Sequence, residues 1–220
     1  DAMLTATNIA EAEWPEWSAG LTYGLGDRVL KSSTHRVYES AIAGNTGADP
    51  AGPSGQWIDV GPTRRWAMFD QALGTASFRF DSIVVTLVPG AVNAVALIDV
   101  VGATVRVQTT GYDETKAVTP GTISFLDLPG IDAPITVTIL GAGTVAVGTL
   151  LVGNLSTLGI TGESPTAGII DFSRKEVDDF GEVTIVERAW SKRMSARTLI
   201  STGAVDLVAN RIAAVRARPS

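Results

Sequence analysis

The sequence predicts a mainly β protein: a small three-stranded N-terminal domain, then an antiparallel β-sandwich, then a short C-terminal helix. Three observations carry this. Ala, Val, Ile, Leu, Gly and Thr dominate while Lys and Glu are sparse, which favours sheets over helical bundles. Apolar runs of strand length recur from residue 72 onward, separated by turn signals, as in a sandwich. Helical spacing of apolar residues occurs only near the end.

The first domain, residues 1–62, has short β-like runs at 28–31, 36–42 and 57–60. Between them "GNTGADPAGPSG" is a loop, its Gly, Pro, Asn and Asp supplying turns. A domain this small buries little surface, so a few aromatics must form most of its core. Its single histidine, His35 in "KSSTHRVY", reads as a solvated residue of a hairpin turn.

Residues 63–71 form a junction. In "VGPTRRWAMFDQ" the bulky residues crowd after Gly61-Pro62, where proline restricts the exit from the first domain. Trp66, Met68 and Phe69 read as anchors seating the start of the sandwich, and Asp70 as a local cap or partner. An extended backbone would place Trp66 and Met68 on one face. Arg64 and Arg65 are positioned to meet the acidic first domain or a neighbouring subunit.

Residues 72–200 are read as the sandwich, with strands expected in "FRF", "SIVVTLV", "AVALIDVV", "TVRVQTT", "TISFLDL", "ITVTILG", "VAVGTLLVG" and "GEVTIVERAW". Pro-Gly turns at 89–90, 120–121 and 129–130 punctuate them. Alternation in "TVRVQTT" and "ITVTI" implies one buried face, whereas "ALIDVV" and "TLLVG" read as buried on both. The uncharged stretch 133–162 suits two buried strands joined at "GAG" better than a membrane helix, because Pro134 and repeated glycines interrupt it. No membrane span is expected. In residues 201–220, Val205, Val208, Ile212 and Val215 form one helical stripe, with Arg211 and Arg216 elsewhere around it. Such a stripe must pack back or meet a partner.

The absence of cysteine excludes disulfides and thiolate metal sites. With one histidine, the usual nitrogen and sulfur metal centres are not expected, nor is any cofactor. A net charge of −6 argues against nucleic-acid binding. The charge is uneven: residues 1–62 hold eight acids (Asp1, Glu11, Glu13, Glu16, Asp27, Glu39, Asp49, Asp59) against three bases (Arg28, Lys31, Arg36). Residues 174–218 hold nine bases against six acids. Both solvated surface and complementarity between subunits fit this. Asp171, Glu176, Asp178, Asp179, Glu182 and Glu187 are the densest carboxylates, but they alternate with Arg174, Lys175 and Arg188 as in a charged loop or edge strand. No catalytic residue is assigned, and no enzyme is expected. The chain opens on Asp1 without a basic leader segment, which reads as processed or cut from something longer, with no signal peptide.

The order Trp17, Tyr23, Gly26-Asp27, Val29, Tyr38, Pro50 and Trp57 resembles the small chitin-binding type of carbohydrate-binding module, over roughly residues 14–61. The resemblance implies a glycan site of exposed aromatics, with Trp17 and Tyr23 as candidates; Trp14 lies outside the pattern and reads either as a replacement platform, and so a third candidate, or as a packing residue of an N-terminal arm. Trp17, Tyr23, Tyr38 and Trp57 read equally as core. The aromatic pair that commonly follows the central Tyr in that family is replaced here by "ESAIAGNTG". More broadly, "RRWAMFD" joined to "DFSRKEVDDFG" is similar to tail-tip or baseplate-associated proteins of bacteriophages and prophages. The commoner Asn at the first position of that motif is Arg64 here. This resemblance implies a virion structural protein, made in the host bacterial cytoplasm. Its expected partners are copies of itself, other tail proteins and host surface polysaccharide. The alternative is a glycan-binding adhesion module, or an accessory to a secreted carbohydrate-active enzyme.

Overall fold

The structure is a computed structural model describing residues 3–70, 72, 74–119, 122–162, 164–177, 182–188 and 190–215. The expected turn at 120–121 and the side chains of Asp178, Asp179 and Arg216 lie outside the described residues. The chain is mainly β and divides into two compact units, one ending at Leu155 and the other beginning at Ser156.

Strand β1 (Leu4–Thr7) joins the large sheet, not the small domain, so that domain starts later than position 1. The small domain contains β2 (Thr22–Tyr23), β3 (Arg28–Lys31), β4 (Arg36–Ser40), β5 (Asn45–Thr46) and β6 (Trp57–Pro62). Here β3, β4 and β6 form the expected three-stranded antiparallel sheet, and β2 pairs with β5. Val29, Tyr23, Tyr38 and Trp57 make its core, with Trp17 packed against them.

The large sheet comprises β7 (Ser77–Leu87), β8 (Ala94–Val101), β9 (Thr104–Thr109), β10 (Tyr112–Ala117), β11 (Thr122–Phe125) and β12 (Ile135–Gly153). Nineteen residues long, β12 is shared by both halves of the sheet. One side of it pairs with β7 from Ile135↔Leu87 to Val147↔Ser77. The other pairs first with β9, from Thr136↔Gln108 to Leu140↔Thr104, and then with β8, from Ala146↔Val101 to Gly153↔Ala94. Outside these, β1 flanks β7, β10 flanks β9 and β11 flanks β8.

The two strands expected on either side of "GAG" are therefore one strand with a bend. A Cβ on Gly141 would lie 2.9 Å from Val145 Cγ1 and 3.1 Å from Gly102 Cα, so the corner closes only because both positions lack a side chain. Bends of this kind let a strand pass from one layer of a sandwich to the other. The core fills the fold: Ile83, Val85, Leu87, Val95, Leu97, Val105, Val107, Phe125, Ile135, Val137, Ile139, Val145 and Val147 belong to one buried cluster.

Nor are "ALIDVV" and "TLLVG" buried on both faces. Asp99, with a φ of 54°, sits between the ladder pairs Val147↔Val100 and Thr149↔Ile98, level with Gly148. That irregularity switches which residues face inward, so Leu97 and Val100 are both buried, as are Val147 and Leu150.

In the second unit β13 (Ile160–Thr161) pairs with β18 (Thr198–Leu199), β14 (Thr166–Asp171) with β17 (Trp190–Ser195), and β15 (Arg174–Val177) with β16 (Val183–Val186). The registers nest, from Ile160↔Leu199 through Thr166↔Ser195 to Val177↔Val183. They describe one long two-stranded ribbon, not further sandwich strands. Each strand has a single partner among the described residues. Helix α1 (Val205–Val215) follows a short 3-10 turn, and Arg211 donates to the Thr157 carbonyl at 3.1 Å. Of the predicted stripe Val208 is buried, while Val205 and Ile212 stay exposed. The Val215 side chain lies outside the described residues.

Candidate functional site: the joint and its cleft

Residues 63–78 connect the small domain to the large sheet within the first unit. The backbone turns sharply: Trp66 N–H and Ala67 N–H both donate to the Thr63 carbonyl, at 2.9 and 3.0 Å, and a 3-10 turn spans Ala67–Phe69. The stretch is not extended, so Trp66 and Met68 diverge to different neighbours. Met68 is fully buried in the sandwich core, and its N–H donates to the buried Ser77 hydroxyl at 3.0 Å. The Trp66 ring instead stacks on His35 of the small domain, with centroids 4.2 Å apart and planes 29° apart. Phe69 tilts against the same ring at 5.8 Å. Asp70 pairs locally, accepting from Ala72 N–H at 2.9 Å and the Thr75 hydroxyl at 2.8 Å.

His35 closes the β3–β4 turn, as expected, with a φ of 55°. It is not a solvated loop residue, because its side chain is only 26% exposed. Its Nδ1 lies 3.0 Å from Glu11 Oε1, and the same carboxylate oxygen accepts from the Thr63 hydroxyl at 2.8 Å. Two residues on, Glu13 Oε1 accepts the Arg64 backbone N–H at 2.6 Å. Two acids of the N-terminal segment thus clamp the junction from outside. Only the E-x-E spacing of "AEAEW" hints at this in the sequence, since the partners lie 24 to 52 positions away.

The joint borders an open cleft of about 580 Å³ lined by Glu13, Trp14, Arg28, Arg64, Thr75 and Phe78, among others. The Arg28 guanidinium carbon lies 5.6 Å from the Trp14 ring centroid, and Arg28 donates to Glu39 at 2.8 Å. That of Arg64 lies 4.2 Å from the Phe78 centroid. The cleft therefore combines half-exposed aromatic rings with two guanidinium groups. Arg65 is half-buried.

The three glycan candidates separate. Trp14 is exposed and lines the cleft. Tyr23 is 7% exposed, its ring set edge-on to Trp57, and its hydroxyl accepts the Ser18 N–H at 2.8 Å, so it offers no open ring face. Trp17 packs on that core with Lys31 5.7 Å from its centroid.

Elsewhere, Arg106 bonds Asp113 and holds that carboxyl below its ordinary range. Burial, with the nearby Glu114 and Asp127 carboxylates, pushes the Tyr112 phenol well above its ordinary range. In the acidic stretch Asp171 accepts the Ser173 N–H at 2.8 Å and Glu176 pairs with Arg174 at 3.1 Å, placing these acids on the exposed ribbon. Among the described residues no group of three or more His, Cys, Asp or Glu could hold a metal ion, and no helix is long and apolar enough to cross a membrane. Compared with known proteins, the chain matches no family, no curated protein and no solved structure.

Proposed function

We propose that this chain is a non-enzymatic structural component of a bacteriophage tail, at the tip or baseplate. It is made in the host bacterial cytoplasm and assembles with itself and with other tail proteins. One observation carries this reading: the second unit is a two-stranded ribbon with one helix, and its described side chains form no buried cluster of their own. Ile160, Ile169, Ile185, Met194 and Leu199 are 66–75% exposed, and of that unit's described side chains only that of Val208 is buried. A lone two-stranded ribbon is marginal in water, and obligate partners supply the missing burial. The likeness of "RRWAMFD" and "DFSRKEVDDFG" to tail proteins supports the same reading.

The test is light scattering of the full chain, alone and with the products of neighbouring genes, beside Ile169→Asp and Ile185→Asp. Assembly that the substitutions abolish is expected; a stable monomer at high concentration, with and without those neighbours, refutes the reading. Detection of the chain in purified virions by mass spectrometry checks the location. A second reading, contact with a surface glycan, is favoured by the exposed Trp14 in the cleft. It predicts retention on a polysaccharide that Trp14→Ala weakens.

A further inference from the structure

The geometry points to a ligand class for the cleft beside Trp14: we propose that it binds a sugar bearing a carboxylate, such as a uronic or sialic acid residue. This rests on the glycan-contact reading and is independent of the assembly reading.

The aromatic component comes first. Trp14 and Phe78 are 41% and 42% exposed and line one concavity. A large ring left half open in a concave site is a surface on which the apolar face of a pyranose stacks, a role that falls to Trp14, since the Arg64 guanidinium lies over the Phe78 ring. The volume, about 580 Å³, suits a ligand the size of a disaccharide. A second hollow of about 510 Å³ shares Glu13, Arg64 and Phe78 and adds Phe80, which is 67% exposed. A glycan chain therefore has a path on both sides of Arg64.

Charge then selects among sugars. Arg28 is already matched by Glu39. The Arg64 guanidinium lies over Phe78, and among the described residues no carboxylate is within ion-pair distance of it. Its bond to Glu13 is made by the backbone N–H, leaving the side chain uncommitted. The cleft thus presents one guanidinium to a ligand, and a carboxylate accepts its paired N–H groups side by side. A neutral sugar would leave that cation unused. Arg79, which lines the second hollow, is turned to the Phe80 and Ser82 carbonyls, so a polyphosphate or nucleic acid would bring several negative charges to Arg64 and that one further guanidinium, beside Glu13 and on a chain of net charge −6.

The test titrates the full chain with trigalacturonate and sialyllactose, and with galactotriose and lactose as neutral counterparts, by saturation-transfer NMR and calorimetry. The acidic ligands are expected to bind in the millimolar range or tighter, and the neutral ones at least about tenfold more weakly. Arg64→Gln keeps the backbone bond to Glu13 and should cost at least about tenfold in acidic-sugar affinity, with assembly unchanged and the melting temperature lowered by no more than about 4 °C through loss of the contact with Phe78. Trp14→Ala should weaken binding of both ligand types. Binding of neither acidic sugar, equal binding of acidic and neutral sugars, or full affinity in Arg64→Gln overturns the proposal. The comparison of ligands on the unaltered chain stands even where a variant folds poorly. A failure here leaves the effect of Ile169→Asp and Ile185→Asp on assembly intact, so the two readings fail separately.

Discussion

Removing the Trp66 ring tests whether the joint is a mechanical latch between the small domain and the sandwich. The ring is half-buried, its centroid 4.2 Å from that of His35 and 5.8 Å from that of Phe69. Full burial of Trp makes truncation to Ala worth about 3–5 kcal/mol, so a half-buried ring should cost about 2–3 kcal/mol. His35→Ala removes the stack together with the bond to Glu11, about 1–2 kcal/mol. The double variant should cost less than the sum, by the roughly 0.5–1.5 kcal/mol that a stacked pair contributes beyond its area. Urea denaturation of the four proteins closes the cycle. At about 2–4 °C per kcal/mol for a chain this long, Trp66→Ala should lower the melting temperature by about 4–12 °C and speed proteolysis near residues 60–71. Two outcomes refute the latch. Additivity within about 0.3 kcal/mol means the rings do not support each other. An unchanged melting curve for Trp66→Ala means the cluster serves an interface instead.

Two further expectations follow from the same geometry. Gly141→Ala should destabilise by about 1–3 kcal/mol, because the added carbon meets backbone at Gly102 and Ala103. Gly153→Ala, in the same strand with nothing within 4 Å, should be neutral or slightly stabilising, and equal denaturation midpoints would contradict the corner assignment. Arg106→Gln should raise the Asp113 pKa towards its ordinary value, read by NMR of the carboxyl carbon. The Arg106 hydrogen bond is the largest cause of its depression. Since the folded pKa lies below the unfolded one, this pair contributes stability above about pH 3.9 that is lost as pH falls through the folded value. The variant's stability should therefore vary less with pH in that acid window.

Local patterns in the sequence reveal local structure well. The runs at Arg28–Lys31, Ala94–Val101 and Val205–Val215 are legible because apolar period and turn residues agree over a few positions. The strand Tyr112–Ala117 escapes notice because "YDETKA" is polar: half-buried and exposed residues alternate along it, but of the half-buried ones Glu114 and Lys116 are charged and Tyr112 is the only hydrophobic one packed on the core. "GAG" reads as a hairpin for a similar reason. Its first glycine, Gly141, answers to Gly102, a neighbour in space and not in sequence. Bulk alone marks the joint, yet its clamp depends on Glu11, Glu13 and His35, which look like ordinary surface residues until the chain is folded. Aromatic spacing alone could not distinguish Trp14 from Tyr23, because only packing against Trp57 decides which ring is closed off. Only the rise in charge beyond residue 162 marks the change from sandwich to ribbon near Leu155, since Val, Ile and Thr serve both.

The shared strand β12 also dictates the order in which the chain can acquire structure during synthesis. The three-stranded sheet of the small domain is complete once Pro62 has emerged, so that domain can form early. The large sheet cannot. Without β12, β7 has only β1 to pair with, β8 only β11 and β9 only β10, and pairs of strands are marginal in water. From Ser77 until residue 153 is available, more than half of a β-rich domain waits with open edges, the interval in which nascent chains aggregate or need a chaperone. Closure then depends on contacts distant along the chain, which makes it slow, and the last strand to arrive is the one that β7, β8 and β9 all require.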